Sequence, residues 1–446
     1  MGRSASLYIC FFFLFCCIYT VFNLGKFKKH DVIAWDRAGY YLYLPALLIY
    51  DDLDELHFIS HIDSTYELTQ NNSKYGLVQI EQTGHLVNRY SYGVALFELS
   101  GFLIAHTYAS YSQKYPPDGY SIPYQLAIQF TSILFSFLGL VVLRRFLRDF
   151  GIKETLISCA IILLAFGTNF YYYSAFEHGM SHNFSFFLCS TILFLTNRAY
   201  KFEDWKYFIF LGISLGWAAL VRPVDIFFCI IPCLWLGFNM AQLRFLKRHV
   251  VKILVLMLCF LLPWIPQIVY WKLTTGQFLY YSYSEYGFDF TNPQVWKGLF
   301  SYRKGWFVYT PIAFIGFLYI FVAWRKKEYR NYAIAILLFY IPYIYVVFSW
   351  FQWYYGGSFG SRVMINTLPL LAIPLAIFVK DVINLSKIKK YLIIAVVCFL
   401  VVLNLFQSWQ YNRGVLHWDA MSKEYYWRIF LKEHASEEDR SLLMGR

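Results

Sequence analysis

Long apolar runs, broken by short polar or basic stretches, recur from Leu7 to Trp409. A bilayer crossing needs about 20 mostly apolar residues, and runs of that order predict eleven helices. They cover 7–24, 123–143, 155–173, 181–196, 207–221, 224–240, 250–271, 306–323, 332–349, 363–379 and 391–408. The pattern predicts one all-α polytopic bundle over residues 1–409 rather than a soluble domain with an anchor. Arg3 followed by an apolar run resembles a signal peptide, but no small-residue cleavage site follows, so 7–24 reads as an uncleaved first span.

One run decides the topology. Residues 92–109 are apolar, yet Glu98 sits mid-run and His106 near the end. A carboxylate at mid-bilayer costs about 2.5 to 3.5 kcal/mol on insertion scales. Leaving this run out of the count places Arg144/Arg145/Arg148/Lys153, Arg198/Lys201/Lys206, Arg244/Lys247/Arg248/Lys252, Arg325/Lys326/Lys327/Arg330 and Lys380/Lys387/Lys389/Lys390 on one side, as positive-inside bias requires. Counting it as a span moves all five clusters outside. The run therefore reads as a juxtamembrane or re-entrant helix within a long first external loop, 25–122, and the tail 410–446 lies outside. Lys26, Lys28 and Lys29, just past the first span, run against the bias, outnumbering Arg3 within.

Composition agrees. Hydrophobic residues form 59% of the 446 positions and charged residues 15%, against about 25% charge in a soluble chain. The net charge of +12 comes from the clusters between apolar runs, so it reports topology and not nucleic-acid binding. All nine cysteines lie in apolar segments, which argues against disulfides or a thiolate metal site.

Polar chemistry gathers on the outer side. In Trp35-Asp36-Arg37-Ala38-Gly39-Tyr40-Tyr41, Asp36 is either a capping or solvated charge, or a general base tuned by flanking aromatics. Glu177 and His178, in Glu177-His178-Gly179-Met180-Ser181-His182-Asn183, are either helix-end caps or part of a divalent-metal site, the candidate cofactor. Cations end or begin helices at Arg222, Arg303, Lys304 and Arg362; one alone can snorkel, but a set facing one cavity suits an anion. The stretch Gly356-Gly357-Ser358-Phe359-Gly360-Ser361-Arg362 offers backbone N–H groups to phosphate without being a Walker motif. Aromatics make up 22% of the chain and crowd Tyr280–Tyr286 and Trp350–Tyr355, as an interfacial belt or as platforms for sugar rings.

Together these features resemble the GT-C superfamily of membrane glycosyltransferases, which includes protein O-mannosyltransferases and lipid A aminoarabinose transferases. The resemblance rests on a long first external loop with Asp-x-x-x-Tyr (Asp36, Tyr40), juxtamembrane segments, an acidic second external loop (Glu177) and a basic residue ending a later helix (Arg222). The Trp353–Arg362 stretch and Gln407-Ser408-Trp409-Gln410-Tyr411-Asn412 are similar to bacterial members. This chain has Asp36-Arg37 where many members have Asp-Glu, and Asn88-Arg89-Tyr90 where they have a Lys-Pro-Pro type segment.

The resemblance implies inverting transfer of a hexose or pentose from a polyprenyl-phosphate donor to a glycan, lipid or protein acceptor. It further implies a bacterial inner membrane, with the site facing the periplasm. Asp36 would be the base, with Tyr40, Arg89, Arg222, Arg303, Lys304 and Arg362 as substrate-binding candidates. The rival reading is a lipid-linked glycan flippase or exporter, marked by polar residues at mid-bilayer and discontinuous helices.

Overall fold

A computed structural model describes residues 4–68, 76–81, 83–283 and 286–445. Of the aromatic run 280–286, Ser284 and Glu285 lie outside the described residues. Helix α1 (Ala5–Leu24) precedes the short helices α2 (Asp36–Tyr41), α3 (Tyr43–Leu48) and α4 (Phe58–Tyr66). An antiparallel hairpin of β1 (Leu77–Gln79) and β2 (Leu86–Asn88) leads to α5 (Gly93–Tyr111). Next come α6 (Ile122–Asp149), α7 (Glu154–Phe166), α8 (Phe170–Ala175), α9 (Ser181–Phe202) and α10 (Trp205–Val221). A 3-10 stretch, Pro223–Cys229, enters α11 (Ile230–Cys233), followed by α12 (Met240–Arg248), α13 (Val250–Leu261), α14 (Ile265–Thr275) and α15 (Val295–Phe300). The chain finishes with α16 (Trp306–Tyr309), α17 (Pro311–Arg325), α18 (Arg330–Phe348), a 3-10 stretch Arg362–Leu371 entering α19 (Ala372–Ile383), α20 (Lys387–Asn412), α21 (Lys423–Arg428) and α22 (Glu437–Arg440).

Among the described residues six helical stretches are long and apolar enough to cross a membrane: Ala5–Lys29, Ile122–Asp149, Val250–Thr275, Arg330–Phe348, Arg362–Ile383 and Lys387–Asn412. Four further apolar helices are shorter. Several runs expected as continuous helices are interrupted. Between α7 and α8, the Thr168 hydroxyl donates to the Leu164 carbonyl (2.7 Å) and accepts from the Phe170 N–H (3.2 Å), satisfying backbone groups the break frees. Pro263 and Pro311 mark two other interruptions, because proline lacks the N–H a helix interior uses, and Pro223 stands between two expected runs.

Small residues set the closest helix approach. A Cβ on Gly212 would lie 2.3 Å from the Leu256 carbonyl oxygen, and one on Gly216 2.0 Å from that of Phe260. Gly212 and Gly216 thus form a four-residue-spaced notch in α10 into which the α13 backbone fits, an interface suited to a setting where apolar burial alone gives little drive. Trp264 Nε1 closes the contact by donating to the Gly216 carbonyl (3.1 Å).

Ion pairs tie the basic clusters together at one end of the bundle. Arg198 meets Asp149 at 2.6 Å, Glu203 meets Arg248 at 3.2 Å, Lys326 meets Asp381 at 3.0 Å, and Arg144 meets Glu154 at 3.6 Å. At the other end, α5 lies along the first half of α6. Phe97 packs on Phe135, Gly101 abuts Ala127 and Thr131, and His106 Nδ1 meets the Tyr124 hydroxyl at 2.6 Å. Glu98 faces the protein interior and is buried. Buried Gln125 of α6 anchors the first loop by accepting the N–H groups of Val32 (3.1 Å) and Ile33 (3.0 Å).

Candidate functional site

Residues four apart share one face of a helix, so α2 presents Asp36 and Tyr40 together. Asn88 of β2 fixes α2 in place by donating from Nδ2 to the Gly39 carbonyl (2.7 Å), while its own N–H donates to the Tyr270 hydroxyl (3.0 Å). Two residues on, Tyr90 packs on Tyr40 at 4.5 Å and donates to Asp36 Oδ1 at 2.9 Å. The Tyr40 hydroxyl reaches Ser181 Oγ at the start of α9 (3.4 Å).

Arg222 owes its place to its neighbour. A residue before proline is driven out of the helical region, and Arg222 is extended at φ −147°, ψ 115°, ending α10 ahead of Pro223. Its Nη1 donates to His182 Nδ1 at 2.6 Å, which requires that nitrogen of the imidazole to be unprotonated. Deeper in, fully buried Asp225 accepts from Asn366 Nδ2, and Asn366 also donates to the Tyr343 hydroxyl (2.8 Å). Asp225 lies at the head of the apolar run 224–240.

Arg362 arrives by the glycine-rich loop. Gly360 has φ +60°, and a Cβ there would lie 2.9 Å from Tyr309 Cβ, so glycine alone suits both the turn and the contact. Tyr173 accepts the Phe359 N–H at 3.0 Å, and Asn169 donates to the Phe359 and Ser361 carbonyls at 3.3 and 3.4 Å. Held this way, Arg362 Nη2 donates to Asp36 Oδ2 at 3.1 Å. Arg222 and Arg362 both lie close enough to Tyr40 and Tyr355 to act on their hydroxyls. Arg89 borders the same group: its guanidinium covers the Tyr286 ring at 5.4 Å, and among the described residues its buried Nε has no hydrogen-bond partner.

Other candidates fall outside this group. Glu177 pairs with Lys26 (3.1 Å) and Arg37 (2.7 Å). Burial opposes its ionisation, but the two cations outweigh burial and hold its carboxyl down to about 2. His178 Nδ1 faces Gln129 Nε2 at 3.2 Å, and burial brings its imidazole down to about 3. Among the described residues no three His, Cys, Asp or Glu side chains are grouped to hold a metal ion. Arg303 stacks on Tyr354 at 3.4 Å and binds Asp419 through two contacts of 3.0 and 3.1 Å. Buried Lys304 donates to the carbonyls of Ser358 and Trp418 (2.5 Å), and burial lowers its ammonium to about 7.

The sequence reading thus finds Asp36, Tyr40, Arg222 and Arg362, which the structure brings together with Arg89 alongside. It does not single out Tyr90, Asp225, Asn366 or Asp419, and it meets His182 only within the Glu177–Asn183 stretch. The one visible signal was a carboxylate three residues after Arg222 at the head of an apolar run.

A helical bundle with apolar spans carries at one end a carboxylate paired with the Arg362 guanidinium, with Arg222 near Tyr40 of the same helix. Residues 124–271 match the family described as dolichyl-phosphate-mannose-protein mannosyltransferase, a GT-C type. The match bears out the resemblance to GT-C membrane glycosyltransferases and supports use of a lipid-linked sugar donor. It includes Glu177, His182, Arg222 and Asp225; Asp36, Arg89 and Arg362 lie beyond it. No curated protein matches the sequence.

Proposed function

We propose that the chain transfers a sugar, with inversion, from a polyprenyl-phosphate donor to a hydroxyl acceptor on the non-cytoplasmic side of the membrane. The observation that carries this reading is the convergence of Asp36, Arg362 and Arg222, from three distant parts of the chain, at the end of the bundle away from the basic clusters. The acceptor oxygen attacks the anomeric carbon as its proton passes to Asp36. The bond from that carbon to the phosphate oxygen breaks, and the phosphate leaves with the electron pair. Arg222 and Arg362 stabilise the charge growing there.

The Asp36–Arg362 ion pair gives this scheme an order. A donor phosphate competes with Asp36 for Arg362, so donor binding frees the base. Two features also suit the exporter reading, namely interrupted helices and the buried Asp225. The family match favours the transferase.

The test is donor affinity and sugar release with purified protein and radiolabelled polyprenyl-phosphate sugars. Hydrogen bonds to charged groups are worth about 1.5 to 3 kcal/mol, so Arg222→Gln and Arg362→Gln should each weaken donor binding and slow transfer by about ten- to a hundredfold. Unchanged affinity and transfer in both variants would remove the two arginines from the site.

A further inference from the structure

Three strands of the chain far apart in sequence meet at the glycine-rich loop. Lys304, 3% exposed, sends its amine to the Ser358 carbonyl within the loop and to the Trp418 carbonyl in the tail. Next to it, Arg303 is held on one side by the Tyr354 ring and on another by both oxygens of Asp419. Trp418 itself lies over the loop, since a Cβ on Gly357 would meet its ring at 3.5 Å. Residues 354 to 358 are therefore gripped between the Arg303–Lys304 turn and the 418–419 segment. Four residues further on, the loop delivers Arg362 to Asp36.

A loop with glycine at 356, 357 and 360 has wide conformational freedom when nothing restrains it. Asn169 and Tyr173 hold the 359–361 half of the loop; the other half is held by Lys304, by Arg303 with its partner Asp419, and by the Tyr355 hydroxyl, which donates to the Val347 carbonyl at 2.8 Å. These contacts also account for two cations that do not reach the Asp36 group.

We infer that Lys304 and Asp419 are positioning residues: through them the external tail clasps the glycine-rich loop and sets the place of Arg362 opposite Asp36. This rests on the reading of Asp36 and Arg362 as the reacting site. The tail thereby becomes part of the enzyme's working geometry, and misplacement of a reacting group by about 1 Å can cost on the order of a hundredfold in rate.

The test compares Asp419→Asn, Asp419→Glu and Lys304→Met with the parent and with Arg362→Gln, all as full-length protein. It measures backbone hydrogen exchange over 354–361, turnover and melting temperature. The clasp predicts faster exchange in the loop and turnover lowered about tenfold or more in Asp419→Asn and Lys304→Met. Melting temperature should stay close to the parent's for Asp419→Asn, and Asp419→Glu, which restores the carboxylate, should recover most turnover. Unchanged loop exchange in both loosening variants would overturn the inference. So would faster exchange with normal turnover while Arg362→Gln is impaired. If Arg362→Gln also turns over normally, the site reading itself has failed, and the positioning inference with it.

Discussion

At the scale of single residues, charge is placed by neighbours as much as by type. Asp36 begins α2 and Glu177 follows α8, yet Asp36 shares one arginine and a tyrosine hydroxyl, whereas Glu177 is enclosed by Lys26 and Arg37. That difference makes one a candidate base and the other a tie between the first loop and α8. Its carboxyl is depressed from 4.5 to about 2 in the folded protein, so Glu177 contributes stability that is complete above about 4.5. The contribution fades as pH falls through about 2. Glu177→Gln should therefore melt below the parent at neutral pH, and the gap should narrow as pH falls below 4.5. Melting curves for both proteins over that range check the sign; a gap independent of pH would contradict the pairing.

At the scale of elements, legibility followed local chemistry. Asp36 and Tyr40 were paired through the Asp-x-x-x-Tyr pattern, and Arg222 stood out as a cation closing an apolar run. The eleven apolar runs are mostly helical, but their interruptions were not foreseen, since apolar residues read alike in α and 3-10 turns. The 3-10 stretch Arg362–Leu371 shows this: most of it reads as one apolar run with the helix that follows. The Gly212–Gly216 notch was readable in principle from its spacing, though its partner α13 was not. Contacts that join distant strands of chain lay beyond sequence reasoning altogether. Arg303 and Lys304 looked like free cations because Asp419 and the Trp418 carbonyl are more than a hundred positions away.

At the scale of the whole molecule, the basic clusters gather at one end and the Asp36 group at the other, which the proposed topology puts on opposite sides of the membrane. In a variant without its native cysteines, single Cys residues at exposed Thr107, Ser110 and Ser436 should react with an impermeant thiol reagent in intact cells, and those at Arg145 and Lys247 should not. Glu98 and His178 are buried and unsuited to such labelling. Labelling of Arg145 from outside would reverse the orientation and show that α5 crosses.

The central claim, that Asp36 takes the acceptor's proton, is tested most directly by Asp36→Asn, with turnover, donor affinity and melting temperature measured on one preparation. Asparagine keeps the volume and can still accept from Tyr90, but it cannot take a proton. Turnover should fall by at least ~100-fold, with melting temperature little changed. Donor affinity should hold or tighten, because Arg362 loses the carboxylate that competes with phosphate for it. Near-normal turnover in the Asn variant would contradict the account.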